Sequence, residues 1–147
     1  MQELPHHYHA SAVADGDFVS VSSPDAVNIT TAAPVEFGGP GHCWSPETLF
    51  TAAIANCIVL TFKAIARASK FSWSAIDCNV ETILDRVERQ TLFTQAIVRV
   101  KLTIDNAEDS ERAEKLLQKA EANCLVSNSL KTEIRLEPEI LVSETIA

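Results

Sequence analysis

The chain carries four cysteines, Cys43, Cys57, Cys78 and Cys124, and no two of them form a C-x-x-C pair. Two stand out by position. Cys57 falls in the middle of a run that is apolar nearly all round, and Cys124 closes the apolar face of an amphipathic helix. Both are therefore expected near the core, where they can lie close to each other. A thiol pair in a half-buried pocket suits peroxide reduction. One thiolate attacks the O–O bond and becomes a sulfenic acid; the other condenses with it to a disulfide, which an external thiol reduces. That chemistry needs no metal and no organic cofactor. Position alone favours two inert core thiols, because free cysteine is among the most buried residue types.

The remaining candidates are weaker. Cys78 alternates onto the apolar face of a strand and reads as core filler. Cys43 sits in a glycine-rich loop beside Trp44, either as a loop thiol without a role or as an alternative resolving thiol at a pocket mouth. Trp44 and Phe50 are the aromatic residues placed to line an apolar substrate pocket. The tract His6-His7-Tyr8-His9 resembles a metal-binding run. Alternation in a first strand puts only His7 and His9 on one face, and two ligands make a poor site. The expectation is a solvated strand and no metal.

Three short runs before the main break read as strands, at about His9–Val13, Phe18–Ser22 and Val27–Thr31, with Asp15-Gly16 and Ser23-Pro24-Asp25 as turns. Gly38, Gly39 and Gly41 with Pro34 and Pro40 make the break at 34–46. Ser45-Pro46-Glu47 then starts a helix: Ser45 as N-cap, Pro46 at the first helical position, Glu47 at the positive dipole end. The residues from Leu49 to Ile65 leave this helix no polar face, so it must be buried on all sides. A chain of this size hardly surrounds such a helix, which points to a second subunit as cover. Two alternating runs follow. Ile76, Cys78, Val80, Thr82 and Leu84 form one; Leu92, Thr94, Ala96, Val98, Val100, Leu102 and Ile104 form the other. They read as a hairpin turning at Val87–Gln90. Asp109 or Ser110 caps an amphipathic helix whose inner face is Ala113, Leu116, Leu117, Ala120 and Cys124. Glu108/Arg112 and Glu111/Lys115 are pairs on its wet side. Ser127-Asn128-Ser129 reads as a polar turn before a last strand with Thr132, Ile134 and Leu136. The order βββ-α-ββ-α-β is α+β rather than doubly wound.

A length of 147 residues and 16.0 kDa fits a single domain spanning residues 1–147. The net charge of −8 repels phosphate backbones and anionic surfaces, so neither nucleic acid nor a membrane is an expected partner. The uncharged stretch Thr48 to Phe62 is 15 residues, short of the roughly 20 that a spanning helix needs. Met1-Gln2-Glu3-Leu4-Pro5-His6 lacks the basic and apolar regions of a signal peptide, so a cytoplasmic location is expected.

Local sequence adds a resemblance. Trp44-Ser45-Pro46-Glu47-Thr48-Leu49-Phe50 followed by Ala55-Asn56-Cys57 resembles the first cysteine segment of the OsmC/Ohr family, on its OsmC-like branch. Ala122-Asn123-Cys124-Leu125-Val126-Ser127-Asn128-Ser129 resembles the second. The 67-residue interval between the cysteines and the glycine-rich segment before the helix also fit, over about residues 6–138. The resemblance implies an OsmC-like fold: a long buried central helix packed against antiparallel sheets, in an intertwined homodimer. It implies a thiol peroxidase for organic hydroperoxides acting in oxidative-stress defence, with a dithiol reductant such as a lipoyl group and no cofactor. Cys57 matches the peroxidatic position, Cys124 the resolving one, and Glu47 a glutamate that positions an activating arginine.

Glu47 and Cys57 are ten residues apart, so roughly 15 Å along one helix axis. In an antiparallel pair of such helices, Glu47 of one copy would approach Cys57 of the other. The chain departs from the family in one respect. No Lys or Arg precedes Lys63, so the N-terminal arginine that holds the thiolate is missing, and Cys57 lies too far inside its helix to use the dipole. A later arginine or His42 is then the expected cation. The same departure favours the alternative function, an OsmC-fold dimer without peroxidase activity that binds a small apolar or thiol ligand. A cysteine hydrolase or transferase ranks last, since no Cys-His-Asn arrangement surrounds Cys57.

Overall fold

The structure is a computed structural model that describes residues 1–143. Its order is β1 (Ser11–Asp15), β2 (Phe18–Ser22), β3 (Ile29–Thr31), α1 (Pro46–Ala68), β4 (Ala75–Val87), β5 (Gln90–Ile104), α2 (Ser110–Ala122), α3 (Leu125–Asn128) and β6 (Glu133–Val142). This is the α+β order read from the sequence, with the single turn α3 in place of part of a polar loop. The chain forms two compact units, Met1–Phe50 and Thr51–Ala147, whose boundary falls inside α1.

In the N-terminal unit, β1, β2 and β3 form an antiparallel sheet in that order. Its first strand begins two residues later than alternation suggests. The Asp15↔Phe18 pair closes over Gly16, whose φ of 61° suits a tight hairpin, and that turn sets the register. The histidine tract therefore precedes the strand. His6 instead shares hydrogen bonds with the Tyr8 hydroxyl (3.2 Å) and the Gln2 carbonyl (3.0 Å). After β3 the glycine-rich segment folds back on Pro34, and the Ala32 N–H donates to the Trp44 carbonyl (3.0 Å) to rejoin the sheet. Gly39 cannot carry a side chain there, because a Cβ would overlap the Ala33 carbonyl. Ser45 caps α1 as expected. The Thr48 N–H donates to Ser45 Oγ (3.1 Å) and the Ser45 N–H donates to Thr48 Oγ1 (2.8 Å), a reciprocal box with threonine in the role of the usual glutamate.

In the C-terminal unit, β4 and β5 turn at Glu88-Arg89, both at positive φ (50° and 71°), as a two-residue hairpin requires. Ala96, Val98, Val100, Leu102 and Ile104 are all buried, as the alternation demands. A register shift between Ile83 and Leu84 rotates the strand end and leaves Leu84 exposed, against the sequence pattern. The sheet order is β4-β5-β6, and β6 runs parallel to β5. The sheet is therefore mixed rather than antiparallel, because the α2 crossover returns the chain to the end where β5 began. Pro138 is tolerated because β6 is an edge strand.

Helix α2 buries Ala113, Leu116, Leu117 and Ala120. Its Glu111–Lys115 pair forms (3.1 Å), but Arg112 does not reach Glu108. Arg112 donates to the Ser69 carbonyl just past the C-terminal end of α1 (2.6 Å) and covers the Phe71 ring at 5.3 Å. That end of α1 offers unpaired carbonyls, which a planar guanidinium satisfies better than a solvated carboxylate does. Helix α1 buries one stripe, Ile54, Ile58, Phe62 and Ala66, with Phe62 meeting Trp73 edge-on at 5.6 Å. Thr51 Oγ1 and Thr82 Oγ1 share a hydrogen bond of 2.7 Å that ties the helix to β4. The other faces of α1 are half-buried or exposed, and Leu60 is 56% exposed. At 23 residues, with mean hydropathy 1.9 over its most apolar window, α1 exceeds the uncharged stretch. By length and composition alone it is long enough to cross a membrane.

The Phe62 ring is fully buried, so Phe62→Ala should destabilise the protein by about 3–5 kcal/mol in chemical denaturation. A change below about 1 kcal/mol would show that this stripe is not core.

Candidate thiol site

Cys57 projects from the middle of α1, one position before the buried Ile58. Cys124 is fully buried between the end of α2 and the start of α3, where it occupies the N-cap position of α3. The amphipathic face of α2 carries it inward, as its spacing from Ala113 and Leu117 requires. Both thiols belong to the C-terminal unit, both are reduced, and their sulfurs are within hydrogen-bonding reach. The structure thus brings together the two cysteines that the sequence singles out.

Their acidities are split. Burial alone pushes the Cys57 thiol up. The backbone N–H of Val126, the Cys124 thiol, the Thr61 hydroxyl and the backbone N–H of Leu125 oppose that effect, and the balance lies below the ordinary cysteine value. Thr61 Oγ1 stands 3.8 Å from Cys57 Sγ, one helical turn on. Cys124 is pushed up, first by burial and then by sharing its proton with Cys57, while the Ser127 hydroxyl donates to its sulfur at 3.2 Å. Cys57 is therefore the more acidic thiol of the pair and Cys124 the less acidic one.

No cation is among the groups that lower Cys57. Within the C-terminal unit the groups that lower it are neutral donors, most of them from the turn that begins at Cys124. Sequence reasoning missed these groups, although two signals exist. Thr61 follows Cys57 at i+4, on the same helix face. Ser127 follows Cys124 at the spacing of a capping box. The two backbone N–H groups carry no sequence signal, because any residue supplies them.

Cys78 belongs to the same unit and is half-buried on β4. Burial, the neighbouring Asp77 carboxylate and Cys124 push it up to about 11, so it is a poor nucleophile.

The other predicted site residues lie in the N-terminal unit. Cys43 and Trp44 line a shallow depression of about 330 Å³ with Gly41, His42 and Thr48, and Trp44 is 51% exposed. Glu47 lines a different cavity of about 460 Å³, walled mostly by apolar side chains that include Val19, Val21, Pro34, Phe37 and Leu49. Phe50 is half-buried on α1 and lines neither. A charged depression of about 590 Å³ lies along the outer face of the second sheet, where Arg99 is shared between Glu81 and Glu137 (3.3 Å each). None of its lining residues is a cysteine.

Residues 39–139 match the family of OsmC-like proteins. The peroxiredoxin OsmC of Escherichia coli K12 is 28% identical over 96 residues, which are 65% of this chain and 66% of that one. An OsmC-like protein of unknown function from Vibrio cholerae superposes with a TM-score of 0.85 at 19% identity, covering 92% of this chain and 100% of that one. An organic hydroperoxide resistance protein OsmC from Legionella pneumophila gives 0.73 at 25% identity, covering 95% and 100%.

The split in acidity predicts selective alkylation. Near neutral pH, iodoacetamide should label Cys57 well before Cys78, as read by peptide mass spectrometry. Cys78 also links stability to pH. Its thiol ionises near about 8.5 when unfolded and only at about 11 when folded. The folded state therefore gains from the neutral thiol below about 8.5 and loses that gain as pH rises through 11. Thermal stability should fall over this interval in the wild type and fall less in Cys78→Ala.

Proposed function

The chain belongs to the family of OsmC-like proteins, and on that premise we propose that it is a cofactor-free two-cysteine thiol peroxidase for organic hydroperoxides. The observation that carries this reading is the contact between a thiol pushed down, Cys57, and a thiol pushed up, Cys124, with no disulfide yet between them. In a peroxidatic pair the attacking sulfur must be the thiolate and the second sulfur must be adjacent. The Cys57 thiolate attacks a peroxide oxygen and becomes a sulfenic acid as the alcohol leaves. Cys124 then displaces water from it to close the disulfide. A dithiol such as a lipoyl group restores both thiols. The apolar neighbours of Cys57 on α1 favour alkyl over hydrogen peroxide.

The working form of this reading is a cytoplasmic homodimer. The apolar faces of α1 that the single chain leaves open support it, because a second copy of the helix would remove them from water at about 25 cal/mol per Å². In an antiparallel pair, Glu47 of one copy would approach Cys57 of the other.

The apolar cavity that Glu47 lines favours a second reading, in which the dimer binds a small apolar ligand without turning over peroxide. The two readings separate in one experiment. With cumene hydroperoxide and a dithiol, the wild type should turn over, while Cys57→Ser and Cys124→Ser should both fall to background. One equivalent of peroxide should yield a stoichiometric Cys57–Cys124 disulfide by mass spectrometry. Equal rates in all three proteins, or thiols left unreacted while a ligand survives purification, would replace the peroxidase with the binding module.

A further inference from the structure

The two thiols are part of a longer chain of donors. Ser127 is buried, and its hydroxyl has Cys124 Sγ as its partner at 3.2 Å. A sulfur that accepts from Ser127 has its own proton left to give. Cys57 is the acceptor within reach, and Thr61 approaches Cys57 Sγ from a second side, along α1. The order Ser127 to Cys124 to Cys57 gives the chain a direction.

We infer that Cys124 acts as the general acid of the peroxide step as well as the resolving thiol, and that Ser127 is the positioning residue that aims its proton. This rests on the peroxidase reading above. The Cys57 thiolate attacks the terminal oxygen of the hydroperoxide. The S–O bond forms, the O–O bond breaks, and the sulfur is oxidised while the peroxide is reduced. The alkoxide leaves with the Cys124 proton, as the alcohol. Cys57 is now the sulfenic acid and Cys124 the thiolate, with the Ser127 hydroxyl donating to its new charge. That thiolate attacks Cys57 Sγ, the S–S bond forms, and hydroxide departs and takes up a proton from solvent. One proton transfer therefore finishes the first step and arms the second. Among the described residues, no Lys, Arg or His is among the groups that shift either sulfur.

The test separates Cys124 as acid from Cys124 as resolver. Single-turnover oxidation of Cys57 by cumene hydroperoxide, read by dimedone trapping and mass spectrometry across pH, should slow by roughly a hundredfold at its plateau in Cys124→Ala. A Cys124 that only resolves would leave that plateau at the wild-type value, and this result would overturn the inference. In Ser127→Ala, the Cys57 alkylation profile should move to higher pH, and the trapped sulfenate should rise by roughly fivefold at the expense of disulfide. Ser127→Thr, which keeps the hydroxyl, should restore both. An alkylation profile unchanged in Ser127→Ala would remove Ser127 from the chain. Iodoacetamide labelling needs no peroxide, so the hydrogen-bond chain is tested even where the peroxidase reading fails.

Discussion

Everything in this protein that bears on chemistry depends on the hydrogen bond between a half-buried sulfur, Cys57, and a fully buried one, Cys124. Burial disfavours the charged form of a thiol, and hydrogen bonds to the sulfur oppose that effect. Each hydrogen bond to a charged group recovers about 1.5–3 kcal/mol. Two backbone N–H groups, a thiol and a hydroxyl are the groups that bring Cys57 below the ordinary range. The Cys124 contact is one of these donors, so removing it weakens the opposition to burial.

The fold supplies that contact by fixing two points that are far apart in sequence. α1 is stiff and anchored along Ile54, Ile58, Phe62 and Ala66, so the height of Cys57 along the helix is set by packing. Cys124 is anchored from the other side by the buried face of α2, and α2 is held because β5 and β6 are parallel strands that need a crossover between them. A sheet with β6 antiparallel would not need α2 to travel back along β5, and the turn at 124–128 would start elsewhere. The mixed topology is thus part of the site.

That dependence explains what the residues reveal unaided. Long-range alternation in β5 and the spacing along α2 place Ala96–Ile104 and Cys124 correctly, because a buried face imposes a period over many residues. The exposed β1 has no such face, and its start is misplaced by two residues. The bulge at Ile83/Leu84 is a single-residue event inside a regular pattern, and it hides Leu84's true side. Arg112 defies its i−4 partner because a tertiary carbonyl outcompetes a solvated glutamate. At the site, residue types identify Cys57 and Cys124, but the donors from Leu125 and Val126 are main chain and leave no mark on the sequence.

A thiolate held by neutral dipoles behaves differently from one held by a charge. An arginine would stay beside Cys57 in every oxidation state. Here the donor that tunes Cys57 is also the atom that bonds to it, so closing a Cys57–Cys124 disulfide would remove the activating thiol together with the nucleophile. The site would then be reactive only when fully reduced. It would also carry no fixed positive charge to attract small anions into an apolar cleft, which fits a strongly acidic chain whose nucleophile sits on its most apolar helix. A buried arginine beside Cys57 would also need its own partner, a requirement that neutral donors do not impose.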